Sequence, residues 1–138
     1  MPGPGVEAQV TAILRAMNVT GGYALSLVCT DRGLLVASAG EFMRSEALAG
    51  LTSLFDDIVV RAARYLELAD IDELTLSDAR GGRLIVRPLL RDHQPRLFLV
   101  VQAPRSRPWR RSTGVAVRRL AAVLRPLLTT ISEGIEGP

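Results

Sequence analysis

Residues 46–68 read EALAGLTSLFDDIVVRAARYLEL, the longest periodic segment of the chain. Projected at about 100° per residue, Leu48, Leu51, Phe55, Ile58, Val59, Ala62 and Leu66 share one helical stripe. Leu54 and Tyr65 widen it on one side and Ala63 on the other, while Glu46, Ser53, Asp57 and Arg64 lie opposite, with Val60 among them. The apolar arc covers about half the circumference, whereas roughly 100° is enough to seat a helix on one sheet. A helix this apolar in a small domain touches something besides its own sheet. Ser45 is placed to cap its start.

Working outward, residues 6–18 set Val6, Val10, Ile13, Leu14 and Met17 on one face of a short helix, which Thr20-Gly21-Gly22 ends. Residues 23–30 and 34–39 are apolar and β-forming, and Asp31-Arg32-Gly33 between them is a turn, so they form a hairpin. After the long helix, residues 72–79 alternate, Leu74 and Leu76 against Thr75 and Ser77. Arg80-Gly81-Gly82 turns into a strand over 83–89, where Pro88 marks an edge or an end. The stretch 91–95 is a loop, and 96–103 is so apolar (Leu97-Phe-Leu-Val-Val) that it reads as the central strand. Ser112 caps a last helix to about Ile131, with Val115, Leu120, Val123, Leu127 and Leu128 as its apolar residues and Pro126 as a kink or the start of a looser stretch.

The order helix, two strands, helix, three strands, helix has only short links between consecutive strands. That makes an α+β layer architecture with a mainly antiparallel sheet and excludes a doubly wound nucleotide-binding pattern. The 138 residues are one domain's worth, ordered over about 6–131 with flexible ends, and 48% hydrophobic residues supply the core. No run of about 18 uninterrupted apolar residues occurs, so no membrane span is expected. The start, Met1-Pro-Gly-Pro-Gly, lacks a signal-peptide pattern, and the lone Cys29 suits a reducing compartment, so a cytoplasmic location is the expectation.

The chain has 17 Arg, no Lys, one His and one Cys. A phosphate-loop lysine and Schiff-base chemistry are therefore excluded, and so is a His/Cys metal cage within one chain. A Ser-His-Asp triad would have to use His93, and no nucleophile turn accompanies it. Adjacent Asp56 and Asp57 point apart on a helix and read as a solvated face. Asp70, Asp72 and Glu73 lack calcium-loop spacing and read as solubility and capping. Cys29 reads as a small core residue and His93 as an exposed turn residue. No constellation demands catalysis, so neither catalytic residue, cofactor nor metal is expected.

Residues 1–104 hold 10 Arg against 12 acids, whereas 105–138 hold 7 Arg against 2. The basic character is thus local to the last quarter, where Arg105, Arg107, Arg110 and Arg111 surround Trp109 in a proline-bounded segment. Two readings stay open, a solvated connector and an exposed, mobile rim that binds a partner. No recognition-helix, zinc-finger or RNP pattern accompanies the cluster, so sequence-specific nucleic-acid binding is not expected.

Taken in order, the hairpin ALSLVCTDRGLLVAS (24–38), the helix 51–68, the strand GRLIVRPL (82–89), and LFLVV (97–101) followed by RRLAAVL (118–124) resemble the roadblock family. The similarity is to the dynein-light-chain and bacterial gliding-regulator (MglB-like) type and covers about residues 6–130. It implies an α-β-β-α-β-β-β-α profilin-like sandwich with a five-stranded sheet. It further implies a homodimer, or a heterodimer with a related chain, in which third strands pair and long second helices pack side by side. Leu51, Leu54, Phe55, Ile58, Val59, Ala62, Leu74, Thr75, Leu76 and Ser77 would then form the interface. The implied role is a platform for a small Ras-like GTPase, either stimulating hydrolysis or scaffolding. The competing reading is a small-molecule-sensing module of the PAS or GAF kind. Against it, one long helix joins strands two and three where a sensor has several short ones around a pocket.

Overall fold

The computed structural model describes residues 5–90 and 92–136, with side chains for all of these except 42, 43 and 128–136. The expectations for the chain ends, for Arg91 in the second loop and for Leu128 fall outside the described residues or side chains. The elements are α1 (Val6–Gly21), β1 (Leu25–Thr30), β2 (Leu35–Ala39), α2 (Phe42–Tyr65), β3 (Leu74–Ser77), β4 (Gly82–Leu89), β5 (Leu97–Pro104) and α3 (Arg110–Glu136). The sheet order is β2-β1-β5-β4-β3, and every neighbouring pair is antiparallel.

Strand alternation divides the interior into two cores. Strand β5 is central, as its continuous apolar run predicts. Leu97, Leu99, Val101 and Ala103 face one side and pack with Val10, Ile13 and Leu14 of α1 and Ala116, Leu120 and Leu124 of α3. Phe98 and Val100 face the other, with Leu27, Cys29, Val86 and α2's Ala49 and Phe55. The result is α1 and α3 on one face of the sheet and α2 on the other. In the first hairpin turn Gly33 has φ 82°, and a Cβ there would lie 2.9 Å from the Ala49 carbonyl oxygen, so only glycine lets the turn touch α2. Pairing of β3 with β4 stops at Val86, so at Pro88 strand β4 is itself an edge, which fits its missing N–H.

Helix ends depart from the expected caps. Helix α2 begins at Phe42, not at Ser45, whose buried hydroxyl donates back to the Glu41 carbonyl at 2.9 Å. It ends at Tyr65, three residues early, because Glu67 takes φ 55° and the Leu68 N–H turns back to the Ala63 carbonyl. Helix α3 starts at Arg110 rather than behind a Ser112 cap: the Trp109 carbonyl accepts the Thr113 N–H, and the Ser112 hydroxyl meets that of Tyr23. Pro126 lies inside α3 on its exposed side, where water can satisfy the carbonyl left without a donor, and the helix runs through it.

Candidate functional site

The arc of α2 divides into two lines. Ser45, Ala49, Thr52 and Phe55 are buried, with Leu48, Asp56 and Val59 half-buried beside them. Small residues in the first two turns let the helix backbone approach β1. The bulky residues sit one step round: Leu51, Leu54, Ile58 and Tyr65 are 45%, 61%, 48% and 71% exposed. They recur at helical spacing and make one apolar stripe on the outer face. Of the residues assigned to an interface, Phe55 belongs to the protomer's own core, because it points at Phe98 and Val100. Val59 and Ala62 flank the stripe half-buried.

Strand β3 lies at the sheet edge, bonded to β4 alone, with Leu76 and Ser77 exposed and Leu74 and Thr75 half-buried. One side of its backbone is open for strand pairing. Asp57 and Arg61, four residues apart, pair at 3.0 Å across the solvated side of α2 and are too exposed to contribute much stability.

The Arg/Trp segment is not a uniform mobile rim. The Trp109 indole N–H donates to Glu73 Oε1 at 2.9 Å, and Glu73 Oε2 accepts the Thr75 hydroxyl at 2.8 Å. The Arg83 guanidinium stacks 3.9 Å from the ring centroid, and that of Arg110 stands at 5.9 Å. Trp109 is thus a clamp holding the start of α3 against the β3 edge, and Glu73 is its acceptor rather than a solubilising charge. Nothing local announces this, since Glu73 and Arg83 lie far from Trp109 in sequence. Arg110 and Arg111 form the first turn of α3, and the Arg107 N–H bonds the Pro104 carbonyl, so the connector is a tight turn. The four arginine side chains themselves are exposed, as expected.

Other charged residues also leave their expected places. Asp56 is largely buried and binds Arg96 at 2.6 Å, with Asp31 at 3.9 Å from the same guanidinium, tying α2 and the first turn to β5. His93 is partly covered and bonds Asp92 at 3.0 Å, which holds the Asp92 carboxyl below the usual range. Cys29 is buried as expected, and burial pushes its thiol up to about 11 despite the Thr52 hydroxyl beside it. Among the described residues no group of three His, Cys, Asp or Glu is placed to hold a metal, and no helix is long and apolar enough to cross a membrane.

No family model and no curated protein matches the sequence. Solved structures do. Myxococcus xanthus MglB superposes with a TM-score of 0.77 at 17% identity, over 92% of this chain and 95% of that one. A structure described as MglB with tetrameric arrangement gives 0.75 at 15%, over 91% and 95%. The Roadblock/LC7 domain from Streptomyces avermitilis gives 0.65 at 15%, over 86% and 97%. The chain has the roadblock fold. At these identities the likeness is one of backbone architecture. Among the described residues the protomer leaves the outer α2 stripe and the β3 edge uncovered.

Proposed function

We propose that the protein is a dimeric adaptor that binds a small Ras-like GTPase, or a related partner, and brings no catalytic residue of its own. The observation that carries this is the line Leu51, Leu54, Ile58 and Tyr65, exposed on α2 while the small residues of the same helix face the sheet. A line of large exposed apolar side chains on one helix of a small domain marks an interaction site. Two copies would cover it by packing their α2 helices together and pairing their β3 edges, leaving one continuous sheet. The tetrameric MglB structure of the same fold supports self-assembly. The GTPase rests on the family resemblance. The single 24-residue α2 speaks against the sensor reading.

Light scattering on the purified chain tests the dimer, and pull-down from a native lysate with GDP or a GTP analogue added tests the partner. A monomer that retains a small molecule would overturn the adaptor reading in favour of a sensor.

A further inference from the structure

On the face of the sheet away from α2, helices α1 and α3 run past each other and leave a groove of about 340 Å³. Its floor is apolar: Ile13 and Met17 from α1, Val115 and Ala116 from α3. Its rim is Arg107, Arg111 and Arg119, and no carboxylate lines it. None of the three arginines has an acidic partner among the described residues. Among the described residues Arg61, Arg96 and Arg125 do pair with carboxylates, whereas the groove's three share the unpaired condition of most of this chain's arginines, and it is their placement around an apolar floor that sets them apart. Arg107 is held in place against the left-handed Gly22 that caps α1, where a Cβ would come within 2.9 Å of its Nε. That position also suits a cation, because it lies at the negative end of α1.

Arg111 and Arg119 stand eight residues apart on α3, about 12 Å along the helix, with Val115 midway. We propose that this groove docks a short acidic amphipathic segment of a partner protein, on the face of the sheet opposite the proposed dimer surface. Two carboxylates about 12 Å apart meet the two ends of the rim, and apolar side chains between them fill the floor. A helix achieves that spacing over about eight residues and an extended strand over about four. The distribution of charge selects a peptide over other anions. A single-headed amphiphile would satisfy one end and leave the other arginine unpaired. A nucleic acid would leave the apolar floor facing phosphates.

The test is selection from a displayed random-peptide library on the full-length protein, followed by NMR titration of the synthetic winners. The expected winners carry two acidic residues flanking apolar ones, and they shift amides of residues 13–21 and 107–119 but not those of 51–65. Binding should weaken as salt rises and fall by at least about tenfold in Arg111→Ser/Arg119→Ser. Ala16→Glu, an exposed α1 position lining the groove, should block binding by supplying an internal carboxylate. Both variants should melt like the parent, because the altered side chains are exposed. The proposal is overturned if no peptide is enriched, if the winners lack acids, or if they bind the arginine variant undiminished. It is equally overturned if they shift α2, or if dodecyl phosphate or phosphatidylglycerol vesicles bind more tightly than any winner.

Discussion

Trp109 is the only indole in the chain, so its fluorescence reads the Glu73–Arg83 clamp without interference. Its emission should be blue-shifted and poorly quenched by iodide. Glu73→Ala should raise quenching and cost about 1–3 kcal/mol of unfolding free energy, because the indole N–H loses its acceptor. Strong quenching in the parent would show that the clamp does not form. Cys29 offers a second readout. Its thiol moves from the ordinary value near 9.0 to about 11 in the fold, so the native state holds the proton more tightly than the unfolded chain. That contribution is complete below about pH 9 and is lost as pH rises through about 11. At pH 8 the thiol should resist a disulfide reagent until denaturant is added, and immediate modification would show the core open there. The exposed arginines bear on catalysis. An arginine supplied in trans to a GTPase is worth about 10³–10⁵ in rate. If the protein acts by repositioning the partner's own groups, no single Ala substitution at Arg61, Arg64, Arg105, Arg107, Arg110 or Arg111 should lower stimulated hydrolysis by that much. A loss near three decades with binding intact would assign the stimulation to that side chain.

At the scale of the element, α2 separates two substitutions that its sequence pattern treats alike. Phe55→Ala removes a buried ring from the core beneath the helix and should cost about 3–5 kcal/mol wherever the protein is studied, monomer or dimer. Ile58→Asp, one turn on, changes an exposed residue of the isolated protomer. If two α2 helices meet as proposed, it buries a charge in that contact at several kcal/mol, and light scattering should show folded monomer or aggregate. A well-folded dimer of Ile58→Asp would move the interface off this face. Periodicity shows the width of the apolar arc but does not divide it. The division follows from which residues are small: Ala49 and Thr52 let the backbone approach β1, and that rotates Leu51 and Leu54 outward. Helix ends were less legible. Ser45 and Ser112 have the composition of caps, yet both hydroxyls are taken by other partners, Glu41 and Tyr23.

For the whole molecule, the uneven distribution of arginine sets an electrostatic orientation. Arg105→Ser with Arg110→Ser should leave the thermal midpoint within a few degrees, because exposed charges contribute little to the fold. The pair should slow association with an acidic partner, most at low salt, which stopped-flow measurements at two ionic strengths would check. The sequence by itself determined the order of elements, the antiparallel links, the central place of 97–101 and the excess apolar width of α2. Each of these depends on neighbours along the chain: alternation, helical period and turn residues. Only the tertiary structure decided that Trp109 rests on Glu73 and Arg83, that Asp56 is spent on Arg96, and that three arginines line a groove between α1 and α3. Those groups are far apart in sequence, and nothing local constrains their meeting. They come together because the sheet's alternation sends α1 and α3 to one face and α2 to the other, and packing against that sheet then fixes which side chains share a surface.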